Sequence, residues 1–101
     1  MKNVLGNLSD TDLRLLRIFQ SVVRYGGFSA AREALGLTPS TISNHMTALE
    51  ERLGVKLCHR GRGGFRLTEH GKKVHGAMLD LFGSIENFRS AVGAAKGELT
   101  G

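Results

Sequence analysis

Residues 36 to 54 leave the chain little conformational choice. Thr38 can cap a helix whose first residue is Pro39, a position where proline has no N–H to lose and already holds a helical φ. Ile42, Met46, Leu49 and Leu53 then recur at steps of four, three and four until Gly54 stops the run. One side of this helix is therefore core. The opposite side carries Ser40, Ser43, Asn44 and Thr47, all short, polar and uncharged, whereas Glu50, Glu51 and Arg52 read as an ordinary solvated end. Short hydrogen-bonding side chains suit close approach to a partner.

What flanks this helix gives it a context. Ser9, Asp10 and Asp12 mark the start of a first helix, with a hydroxyl to cap free N–H groups and acids favoured by the dipole. Its apolar positions Leu15, Leu16, Phe19, Val22 and Val23 lead to a stop at Gly26-Gly27. Ser29 is the expected cap of a short second helix, in which Ala30, Ala31, Ala34 and Leu35 form a small-residue face and Gly36 the stop. The tight Gly36-Leu37-Thr38 turn makes the second and third helices a helix-turn-helix. Val55, Leu57, Phe65 and Leu67 alternate with polar residues around a glycine-rich tip at Gly61, Gly63 and Gly64, which predicts a β-hairpin wing. The expected architecture is mainly α: a winged helix-turn-helix over residues 1–67, three helices and a small hairpin, followed by a long helix.

That last helix is predicted over residues 68–95, with Thr68 as its cap. Gly71, Val74, Met78, Leu81, Ile85, Phe88, Val92 and Ala95 alternate steps of three and four, the 3.5-residue period of a seam between helices. Met78, Leu81, Ile85, Phe88 and Val92 are thus the expected dimerisation residues. Gly71, Gly76, Gly83 and Gly93 each cost roughly 1 kcal/mol relative to alanine, so the helix should need a partner. Residues 96–101 read as a flexible hinge tail.

Charge is concentrated in one place. The chain carries a formal +5, and residues 56–75 hold six basic side chains against the single acid Glu69, while the remainder balances. A localised basic stretch suits a polyanion, because phosphate neutralisation releases counterions; composition alone leaves a merely solvated basic face equally open. One cysteine in 101 residues makes no internal disulfide or Cys-based zinc site. The four histidines show no ligand pair on one helix face, and no convergent nucleophile, base and oxyanion site is visible. No metal, no cofactor and no enzymatic activity are expected. No apolar run approaches the roughly 18 residues of a membrane helix and no signal peptide leads the chain, so no membrane is expected as partner and the location is expected to be cytoplasmic.

Several segments agree in spacing with one family. Residues 28–37 (FSAAREALGL), 40–55 ending ALEERLGV, 57–60 and 67–71 (LTEHG) together make the chain resemble the N-terminal domain of LysR-type transcriptional regulators, from about Leu8 to about Ala95. The resemblance implies a third helix in the DNA major groove, a wing on the minor groove or backbone, and a linker helix that forms a homodimer. It places Thr38, Pro39, Ser40, Ser43 and Asn44 at the DNA, with Arg60 and Arg62 of the wing; Thr47 joins them from the polar face. The implied target is double-stranded DNA bearing an interrupted inverted repeat. Family members commonly have Gln-Pro where this chain has Pro39-Ser40, often a long basic residue where it has Asn44, and an aromatic where it has Cys58. The family's C-terminal effector-binding domain is absent from this sequence, which is expected to be part of a longer regulator whose small-molecule effector acts through that domain.

Overall fold

The computed structural model describes residues 8–59 and 64–100, with side chains as far as residue 97. Helix α1 (Asp10–Tyr25) opens with a capping box: the Ser9 hydroxyl accepts the Asp12 N–H at 3.1 Å, and the Asp12 carboxylate accepts the Ser9 N–H at 3.0 Å. Its buried face is Leu15, Leu16, Ile18, Phe19 and Val22. Gly26, with φ 84°, ends the helix in the left-handed conformation and donates its N–H to the carbonyls of the last turn.

Helix α2 (Phe28–Leu35) begins earlier than a Ser29 cap would allow. Its N-cap is Gly27, which offers no side chain, and Ser29 lies exposed within the first turn. Phe28 is helical because its ring packs on Phe65, with centroids 6.2 Å apart. The small-residue face is also narrower than the sequence suggests. Ala31 is fully buried and Leu35 half-buried against α1, whereas Ala30 and Ala34 face outward. Residues four apart share the contact stripe, and the neighbouring pair falls on the next one.

Helix α3 (Pro39–Leu53) starts as its sequence predicts, with the Thr38 hydroxyl accepting the Thr41 N–H at 3.2 Å and Pro39 in the first turn. Ile42, Met46 and Leu49 are buried and Leu53 half-buried. The hairpin follows as two-residue antiparallel strands, β1 (Cys58–His59) and β2 (Arg66–Leu67), pairing Cys58 with Leu67 and His59 with Arg66. Cys58 points into the core and His59 out.

Helix α4 (Glu69–Thr100) runs 32 residues and passes straight through the segment expected to be a flexible tail. Gly93 and Gly97 lie inside it, separated by Ala94, Ala95 and Lys96, strong helix formers that offset their cost. At its start the Thr68 hydroxyl accepts the Gly71 N–H at 2.8 Å and donates to the Lys56 carbonyl at 2.6 Å. The helix crosses directly over the backbone at Leu57, where a Cβ on Gly71 would lie 1.9 Å from the Leu57 oxygen.

The core sits where α1, α3, Leu57 and the first half of α4 meet; Phe19, Val22, Ile42, Met46 and Leu57 are wholly inaccessible. Met78, expected in a seam between two copies, is 2% exposed and belongs to this core, as does Phe82. Leu81 and Ile85 pack on its margin, while Phe88 and Val92 lie beyond it. Early α4 has its own domain to cover it, and only the later turns project past the domain.

Candidate nucleic-acid interface

Two hydrogen bonds to carboxylates, one of them an ion pair, fix α3 in place. Near its C-terminal end the Arg52 guanidinium donates from Nε to the Asp12 carboxylate, which is only 1% exposed, so the last turn of α3 is locked to the first turn of α1. Arg52, aided by the Ser9 N–H, lowers the Asp12 pKa from 3.8 to about 2. The same contact raises the pKa of Arg52. Two residues earlier, the buried Glu50 carboxylate accepts the Leu57 N–H at 2.7 Å and ties α3 to the segment entering the hairpin. Glu50 and Arg52 are therefore positioning residues, not the solvated end their composition suggests. The available signal was Glu50 itself, four residues after Met46 and thus on the same stripe as the core positions.

So anchored, α3 turns its other side outward. Ser40, Asn44 and Thr47 are exposed, and Pro39 and Ser43 half-buried beside them. Ser40, Asn44 and Thr47 line one edge at helical spacing, with Ser43 adjacent, and none carries a charge. Thr38 is exposed too, but its hydroxyl is engaged, accepting the Thr41 N–H and donating to the Thr41 Oγ1 at 2.9 Å. What Thr38 presents to a partner is mainly its methyl and backbone. The structure thus brings together Thr38, Pro39, Ser40, Ser43, Asn44 and Thr47. Arg60 and Arg62, expected at the tip of the wing, lie outside the described residues.

The described part of the hairpin adds exposed His59 and Arg66, directly paired across the strands, with exposed Lys56 before them. Arg66, counted in the basic stretch but not among the expected DNA contacts, lies on the open face because the alternation that buries Cys58 and half-buries Leu67 turns it outward. Phe28 packs against Phe65 and so sets the described part of the hairpin next to the start of α2. Lys72 and Lys73 project from the first turns of α4, and Lys72 lies 3.7 Å from Glu69.

An uncharged, donor- and acceptor-rich helix side of this kind can read the edges of bases, while flanking cations serve phosphates. The polypeptide is similar to known proteins that share the arrangement. It is 53% identical over 88 residues to the HTH-type transcriptional activator BauR of Pseudomonas aeruginosa, an alignment covering 87% of this chain and 29% of that protein. A second relative, the HTH-type transcriptional regulator PtxR of the same organism, is 33% identical over all of this chain and 32% of its own length. The chain thus spans about a third of the curated relatives it matches. Among solved structures, the BenM DBD–catB site 1 DNA complex superposes with a TM-score of 0.76 at 29% identity, covering 85% of this chain and 94% of that one. The CbnR DBD–DNA complex gives a TM-score of 0.73 at 29% identity, covering 82% and 95%. Residues 13–72 match the family described as "Bacterial regulatory helix-turn-helix protein, lysR family". With the helix-turn-helix, the hairpin and the start of α4 all inside that match, the chain belongs to the lysR family of bacterial regulatory helix-turn-helix proteins.

Proposed function

We propose that this chain is the DNA-binding part of a transcription regulator, with α3 in the major groove and the hairpin on the minor groove or the backbone. The observation that carries the reading is the outward side of α3: Ser40, Asn44 and Thr47 stand exposed on a helix clamped at its far end by Asp12–Arg52 and Glu50–Leu57. A rigid scaffold behind short polar side chains is what base discrimination requires. Similarity to DNA-binding domains in complex with DNA supports it. Asn44 offers its amide to a base edge, Ser40, Ser43 and Thr47 reach bases or phosphates, and Arg60, Arg62 and Arg66 supply cationic contacts from the wing.

Two copies join through α4, using Leu81 and Ile85 at the margin of the core and Phe88 and Val92 beyond it, and so present two α3 helices to one side of a duplex. The target is then an interrupted inverted repeat. Action is by binding and not by catalysis, in the cytoplasm; among the described residues no helix is long and apolar enough to cross a membrane. In the whole regulator, effector sensing belongs to a further domain. Selection of sites from random duplex DNA by the purified chain tests the reading. Enriched sequences should converge on two inverted half-sites at fixed spacing, and a pool that stays unselected would refute it.

A further inference from the structure

The outward side of α1 is an arginine stripe. Arg14, Arg17, Ser21 and Arg24 recur at steps of three, four and three, so they share one side of the helix, and the three arginines are exposed. None of the three forms an ion pair among the described residues. Two of them lie over aromatic rings instead: Arg17 is 4.5 Å from the centre of the Phe82 ring, and Arg24 is 5.8 Å from that of Tyr25. A guanidinium resting on a ring face is held there while the N–H groups along its edge still point away from the ring. Such arginines are already arranged to meet a carboxylate.

Beside the stripe the surface turns apolar. Leu13 and Ile18 of α1 meet Leu35 and Leu37, at the end of α2 and in the turn after it, along a groove of about 470 Å³. Arg14 and Arg17 border this groove, and Asp10 at one end is the only acid in its lining. On the opposite side of α1, Leu15, Phe19 and Val22 face the core shared with α3. The groove therefore lies across the domain from the outward side of α3, and a duplex held by α3 leaves it open.

Charge and polarity together specify an occupant. Phosphates would satisfy the arginines but offer nothing to the leucines and isoleucine between them. A protein helix with carboxylates on its flanks and large apolar residues on its face complements both. Length agrees, since Arg14 and Arg24 are ten positions apart, about 15 Å along the axis, or nearly three turns of a helix laid alongside. We propose that the groove between α1 and the end of α2 docks a short acidic amphipathic helix of another protein. Its Asp or Glu side chains pair with Arg14, Arg17 and Arg24, and its apolar residues cover Leu13, Leu35 and Leu37. This goes beyond the DNA reading and does not depend on it; together the two allow a duplex and a protein to be held on opposite sides of one domain.

Titration of the isotope-labelled 101-residue chain with a synthetic peptide, followed by nuclear magnetic resonance, tests this. The probe is a helix of about three turns, stapled because so short a helix is marginal in water, with leucines at i, i+3, i+4 and i+7 and glutamates on both flanks. Two controls replace every glutamate by lysine or every leucine by alanine. The acidic peptide should bind saturably and shift the resonances of Leu13, Arg14, Arg17, Ser21, Leu35 and Leu37, leaving Ser40, Asn44 and Thr47 in place. Neither control should bind. Arg14→Glu, at an exposed position, should keep the helical circular dichroism of the wild type and weaken the acidic peptide on the order of 10-fold. An acidic peptide that does not bind, that maps elsewhere, or that binds Arg14→Glu equally well overturns the proposal. A parallel titration with duplex DNA distinguishes the other polyanion. Shifts confined to the α3 side and the hairpin leave the groove to the peptide; shifts along the α1 arginines in place of α3 make the stripe a nucleic-acid surface and overturn both this proposal and the placement of α3.

Discussion

Asp12 does three things at once. It completes the cap of α1, receives Arg52 from α3, and does so 1% exposed, where an unpaired carboxylate would be costly. Because its folded pKa, about 2, lies below the ordinary 3.8, the stability it contributes is fully present above that ordinary value and is lost as pH falls towards about 2. Asp12→Asn should therefore lower the urea midpoint at pH 7, and the gap from wild type should close on acidification over that window; a gap independent of pH would place the stabilisation elsewhere. Glycines in α4 make a second residue-scale contrast. Gly71→Ala drives a methyl into the Leu57 carbonyl and should destabilise by about 1–3 kcal/mol. Gly76→Ala meets nothing within 4 Å and should stabilise by up to about 1 kcal/mol, both read by thermal unfolding. Sequence alone prices these two glycines alike, since the close approach of Leu57 is visible only once α4 has docked.

Among elements, α3 was the most legible, because cap, Pro39, apolar spacing and Gly54 all specify the same helix. Its polar side followed from periodicity. Its anchorage did not: Glu50 and Arg52 sit in a charged run that resembles any exposed helix end, and only the third dimension brings Leu57 and Asp12 to them. Local signals misplaced the start of α2, where Ser29 is a good cap in principle but the distant Phe65 draws Phe28 into the helix. Local signals also end α4 near Ala95, whereas the helix continues to Thr100 because Ala94, Ala95 and Lys96 offset the two glycines around them. At this scale the test of function is Asn44→Ala. It should relax base preference within each half-site by about 1–3 kcal/mol while leaving unfolding unchanged; an identical selection profile would remove Asn44 from the reading surface. Thr38→Ala should behave oppositely, losing about 1 kcal/mol of stability with its cap, as measured by urea unfolding.

Over the whole molecule, α4 both closes the core and projects beyond it, giving an elongated shape of 56 × 38 × 20 Å. A seam substitution must respect that division. Ile85 packs on its own core, so a charge there confounds folding with association, whereas Val92 is 49% exposed and lies clear of it. Val92→Asp should abolish the dimer in sedimentation and leave monomer unfolding intact; a persistent dimer would move the contact off this part of α4. Three helices, their order, the turn, the wing and the chemistry of the polar face are determined by the sequence, because caps, glycines and periodicity act over a few residues and need no distant partner. Which charged residues clamp α3, why Gly71 must lack a side chain, and that Met78 serves the core and not the seam were decided by tertiary structure. Each depends on groups far apart in the chain meeting in a place that local rules do not encode.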